Sequence, residues 1–97
     1  MITTKQRAQL RSLANDLKAL YQLGKNGITD EFVAQIDEAL GVNELIKISV
    51  LKSALYTSKE VISALCEALD CEPVMAIGSK VVVYRRAKEE KNVKIKL

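Results

Sequence analysis

Histidine and tryptophan are absent from this 97-residue chain, and proline and phenylalanine occur once each. Without histidine, a serine or cysteine nucleophile lacks its usual base, and paired acids such as Asp30-Glu31 and Asp37-Glu38 fall on a helical stretch where structure explains them. An enzyme is therefore not expected. Cys66 and Cys71 are too few soft ligands for a zinc site and are read as reduced, structural thiols. The four aromatic residues are dispersed, unlike the paired platform of an RRM sheet. No run approaches the ~18 apolar residues of a membrane span, and the opening MITTKQRAQL is too polar for a signal peptide, so a cytoplasmic protein is expected. The glycines form neither a Walker loop nor a dinucleotide fingerprint, and no cofactor or metal is expected.

What is there suits one compact domain: 48% of the residues are hydrophobic, mostly aliphatic. The net charge of +3 is unevenly spread. Residues 1–27 hold five basic side chains against Asp16, residues 28–76 hold three against nine acids, and residues 77–97 hold seven against two. Two basic ends around an acidic middle favour an anionic partner, although each charge run also reads as a solvated face.

Thr3 and Gln6 form a capping box for a helix over about Thr4 to Asp16, with Leu10, Leu13, Ala14 and Leu17 at helical spacing. ALYQL, residues 19–23, reads as a strand closed by GKNG. Thr29 caps a second helix that Gly41 is expected to stop, and ELIKISVL, residues 44–51, alternates as a strand. Thr57 and Glu60 box a third helix with Cys66 on its apolar stripe. Pro73 breaks the chain, and VMAI and KVVVYR flank the two-residue turn Gly78-Ser79. The order α-β-α-β-α-β-β predicts an α/β fold, a small two-layer sandwich with a four-stranded mixed sheet. The domain is placed at residues 1–86, and the charged tail 87–97 is expected to be mobile or to dock on a partner.

Two glycines three apart, Gly24 and Gly27, let a backbone meet phosphate oxygens closely, with Lys25 as a point charge and Asn26 between them; a plain turn explains the same spacing. On an ideal helix Arg7, Arg11 and Lys18 fall within about 40° of one another, whereas Lys5 points elsewhere; Lys18 joins this ridge only if the helix reaches it. Lys80, Arg85 and Arg86 come from the final hairpin, and the three groups are expected to converge on one side of the sheet.

The segments TTKQRAQLRSLA, LYQLGKNGIT, ELIKISVL and IGSKVVVYR, in this order, resemble the CRM domain (chloroplast RNA splicing and ribosome maturation) in its free-standing bacterial YhbY-like form, over residues 3 to about 86. The resemblance implies an RNA-binding domain whose sheet is similar to the C-terminal domain of a bacterial translation initiation factor. It further implies association with precursors of the large ribosomal subunit. By that similarity Gly24, Lys25, Asn26 and Gly27 take the place of the RNA-contacting loop, and the basic side chains of helix 1, Lys5, Arg7, Arg11 and Lys18, that of its flanking patch. Asn15, Ala19 and Ser79 depart from the family's frequent histidine, proline and basic residue. The expected activity is sequence-tolerant binding of RNA backbone by a monomer, with little base stacking. The alternative is a protein-interaction module of the translation or ribosome-assembly machinery with weak RNA affinity.

Overall fold

A computed structural model describes residues 2–93 and 95. The Thr3 hydroxyl accepts from the Gln6 N–H at 3.1 Å and the Gln6 side chain accepts from the Thr3 N–H at 2.9 Å, so the first capping box is complete and starts α1, Thr4–Ala14. The helix ends two residues before the expected Asp16, and Lys18 lies beyond it in an irregular connection. Strand β1 is correspondingly short, Tyr21–Leu23.

Helix α2, Asp30–Asn43, is capped by Thr29 and runs straight through Gly41, the residue expected to stop it. The stop falls instead at Glu44, which takes a left-handed φ of 64°. Tertiary contacts hold it there: the side chain is fully buried, its carboxylate accepts from the Ala87 and Ile95 N–H groups, and its carbonyl accepts from Arg85. Strand β2, Leu45–Val50, follows, then a single 3-10 turn at Lys52–Ala54. Thr57 and Glu60 complete the second capping box at the start of α3, Ser58–Leu69. Hydrogen bonding from the Thr57 backbone N–H, and next from its side chain, holds the Glu60 carboxyl below its ordinary range. Pro73 does not interrupt the chain. It sits near the start of β3, Glu72–Ile77, an edge strand with a register shift between Pro73 and Met75 where its missing N–H costs nothing to the ladder. Gly78 supplies the positive φ of 58° that turns β3 into β4, Lys80–Tyr84.

The sheet order is β1-β2-β4-β3, with β1 parallel to β2 and the other pairings antiparallel. The α/β class, the four-stranded mixed sheet and the element order are as expected. The helices, however, divide between both faces of the sheet and do not form one layer. Ile46, Ile48, Val50, Val81 and Val83 pack with α2 and α3, while Leu45, Val74, Val82 and Tyr84 pack with Leu10 and Ala14 of α1. Period-two alternation along β2 and β4 produces these two cores from single strands. Cys66 and Cys71 pack against the larger core, their sulfurs 3.6 Å apart. The hydrogen bond between them lowers the Cys66 thiol pKa and, with burial, raises that of Cys71.

The tail is not loose over its described residues. Ala87 is buried, and Ile95 packs against the smaller core while donating its N–H to Glu44. Its last part, residues 94, 96 and 97, lies outside the described residues.

Candidate nucleic-acid interface

Gly24 to Gly27 form a hydrogen-bonded turn in which the Gly27 N–H donates to the Gly24 carbonyl at 3.0 Å. Both readings of GKNG therefore meet: it is a turn, and its two central residues, Lys25 and Asn26, are exposed at the tip. Among the described residues their amides have no backbone acceptor, so they are available to an anion in a way that the Gly27 amide is not. The two glycines differ. Gly27 has a φ of 73°, and a Cβ there would lie 3.1 Å from the Tyr56 ring, whereas a Cβ on Gly24 would meet only Leu51 at 3.8 Å.

The turn stands at one end of the sheet, because β1 is parallel to β2 and the C-terminal ends of both lie level with the β3–β4 turn: Leu23 pairs Val50, and Ser49 pairs Lys80. Leu51 donates to Leu23 and Val50 to Ser79, which ties the three connections together. Lys25, Lys52 and Lys80 are all exposed at this end. Lys80 also donates to the Ser49 hydroxyl at 2.6 Å and retains two further N–H donors.

The remaining candidates do not all join them. The side chains of Lys47, Ser49 and Lys80 share the α1-side face by alternation, and Lys47 and Lys18 line the same cleft near Tyr21. Lysines 18, 47 and 80 thus follow the part of the sheet beside β2, leading towards the turn. Arg7 and Arg11 go elsewhere: their Nε atoms donate to the carbonyls of Pro73 at 3.0 Å and Val74 at 3.2 Å, at the start of β3. That is the opposite edge of the sheet from β1, roughly 14 Å away across three strand spacings, and the opposite end of the strands. The expected convergence of the helix ridge with GKNG is therefore not found. The reason is topological, since α1 anchors on β3 while the loop belongs to β1. Lys5 is exposed on α1, and Arg86 is exposed beside Gln6 and Glu72, also away from the loop.

Arg85 is engaged within the fold. Its guanidinium pairs with the Asp37 carboxylate at 2.7 Å and donates to the carbonyls of Asp37 at 3.0 Å and Leu69 at 3.2 Å. Lys47 and Lys52 were not among the candidates named from sequence. The alternation of ELIKISVL carries the signal for Lys47, because Lys47 and Ser49 fall opposite Ile46, Ile48 and Val50. Nothing local marks Lys52.

Chemically, the loop end offers a polar turn with exposed amides and several ammonium groups, a set that suits phosphate oxygens held as point contacts. Among the described residues no helix is long and apolar enough to cross a membrane, and no three His, Cys, Asp or Glu cluster to hold a metal.

Residues 2–85 match the CRS1 / YhbY (CRM) domain. The chain belongs to this family. It is 39% identical over 95 residues to "Probable RNA-binding protein YqeI" of Bacillus subtilis, covering 98% of this chain and 99% of that one. It is 36% identical over 90 residues to a protein of Haemophilus influenzae named "RNA-binding protein", covering 93% and 91%. The solution structure of the hypothetical protein SAV1595 from Staphylococcus aureus superimposes with a TM-score of 0.79 at 42% identity, over 99% of this chain and 100% of that one. The mixed sheet with helices on both faces is thus the CRM architecture, and the GKNG turn is the loop of this CRM domain that joins β1 to α2.

Proposed function

We propose that this CRM protein binds RNA, holding backbone phosphates at the GKNG turn and along the lysine-bearing part of the sheet beside β2. The observation that carries the reading is the exposure of Lys25 and Asn26 on a turn that shares its end of the sheet with Lys52 and Lys80. The names of the relatives support RNA as the anion. Lys18 and Lys47 extend the track, whereas Arg7 and Arg11 at the start of β3, and Lys5 and Arg86, lie away from it. A cytoplasmic location and a monomer remain the reading of the sequence; the finer assignment, to ribosomal RNA of large-subunit precursors, rests on the family resemblance. Sedimentation of tagged protein with ribosomal particles tests it.

Lys25→Ala is expected to weaken all RNAs alike and to flatten the log affinity against log salt plot by about 0.7 to 0.9 units, the share of one phosphate contact. Filter binding at several salt concentrations measures both, and an unchanged affinity with an unchanged slope would contradict the reading. One observation favours the second reading, a protein partner. Leu13, Leu17, Leu20, Leu45 and Ile46, with Lys18 and Lys47, line a cleft where the end of α1 meets the starts of β1 and β2, with Leu20 76% exposed. On that reading the uncharged change Leu20→Ser abolishes co-purification of the partner and leaves RNA affinity intact.

A further inference from the structure

The segment joining β2 to α3 exposes three large apolar side chains, Leu51, Leu55 and Tyr56. Leu55 is 92% exposed and sits at a φ of 52°, in the left-handed region that a non-glycine residue enters at a cost of about 1 kcal/mol. Tyr56 is 42% exposed, and its ring lies over Gly27, where a Cβ would come within 3.1 Å of it. The GKNG turn therefore has an aromatic wall supplied from 29 residues further along the chain. Leu51, Leu55, Tyr56 and the Gly78-Ser79 turn line one open groove of about 410 Å³, and exposed Ile77 adjoins that turn. An apolar groove usually suits a protein. Here Lys52 lines it, and Lys25 and Lys80 stand at the same end of the sheet. The nearby acids Asp30, Glu31 and Glu60 lie in the first turns of α2 and α3, where the helix dipole favours them, and Glu60 is bonded to Thr57. An apolar and aromatic surface ringed by ammonium groups matches a ligand whose flat apolar faces are strung on phosphates.

We propose that Tyr56 and Leu55 form a stacking platform for the bases of unpaired RNA, so that this end of the domain prefers single-stranded over fully paired RNA. The inference rests on the reading of GKNG as an RNA-phosphate site and assigns its substrate class. Every base has a π face, so stacking is sequence-tolerant, but a duplex buries those faces and leaves only phosphates to the lysines. From the sequence, four dispersed aromatics gave an expectation of little base stacking, since nothing local ties Tyr56 to the loop. Its position over Gly27 is what changes that.

The test compares a short unstructured single strand with a blunt-ended, fully paired RNA duplex by fluorescence anisotropy at one salt concentration. Tyr56→Leu, which keeps an apolar side chain against Gly27, is expected to weaken the single strand about tenfold and the duplex by less than about twofold. Tyr56→Phe keeps the ring and is expected to bind both as the parent does. Leu55→Ser is expected to weaken the single strand by about threefold, and its side chain is too exposed for the change to unfold the protein. Lys25→Ala weakens both RNAs. If Tyr56→Leu and Leu55→Ser leave single-strand affinity unchanged, as they would for a groove used by a protein, the platform is overturned while the phosphate site stands. Equal losses on both RNAs also overturn it. A parent protein that binds neither RNA overturns the phosphate site itself, and the platform with it.

Discussion

Gly24 and Gly27 look equivalent in the sequence, and the structure separates them. Gly27 carries a left-handed φ, and a Cβ there would crowd the Tyr56 ring at 3.1 Å, whereas Gly24 has neither restriction. Gly27→Ala is accordingly expected to cost about 1 to 2 kcal/mol of stability and Gly24→Ala less than about 0.5 kcal/mol, as urea unfolding of the two variants would measure. Comparable losses at both positions would mean that the turn is held differently. The capping threonines were legible at this scale, because Thr3 with Gln6 and Thr57 with Glu60 satisfy one another within three residues. The Gly27–Tyr56 contact was not, since it depends on two connections being brought to the same end of the sheet.

At the level of elements, the sequence patterns found the three α-helices and four strands of the described residues but not the 3-10 turns at Lys52–Ala54 and Glu90–Asn92, and the remaining errors lie at element ends. Helix α2 runs through Gly41 because glycine in a helix costs only ~1 kcal/mol, and the added turn brings Glu44 to where its buried carboxylate accepts from Ala87 and Ile95. Helix α1 stops at Ala14, so Lys18 leaves the ridge that an ideal helix would have continued. Arg85 illustrates why charge alone does not identify a ligand-binding residue. By reaching Asp37 and Leu69, it fastens the middle of α2 and the C-terminal end of α3 to the end of β4. Arg85→Ala is expected to lower stability by about 1 to 3 kcal/mol, with a smaller effect on RNA affinity than Lys25→Ala. Chemical unfolding alongside the same binding assay separates the two roles; a large affinity loss at unchanged stability would place Arg85 in the interface instead.

Across the whole molecule, two arrangements matter most. The basic ends of the chain do not merge into one surface. The GKNG turn and its lysines occupy one corner of the sheet, and Arg7 and Arg11 are bonded to β3 near the diagonal corner. Meanwhile the charged tail is part of the domain, because the buried Glu44 carboxylate takes its hydrogen bonds from Ala87 and Ile95. Truncation after Arg86 would remove both donors and uncover the smaller core, and is expected to cost roughly 2 kcal/mol or more. A thermal melt unchanged by that truncation would show that the tail contributes nothing to the fold.

The amino-acid sequence by itself determined the α/β class, the order of elements, the two helix-starting boxes, the turn at GKNG and membership in the CRM family. Each of these is written in local patterns of spacing and capping, or in residues kept in order along the chain. Only the tertiary structure decided which face of the sheet receives α1, which cations accompany the turn, that Arg85 is occupied, and that Tyr56 stands over Gly27. Those outcomes follow from strand order and long-range packing, where residues tens of positions apart compete for one place, and no short window of sequence contains both competitors.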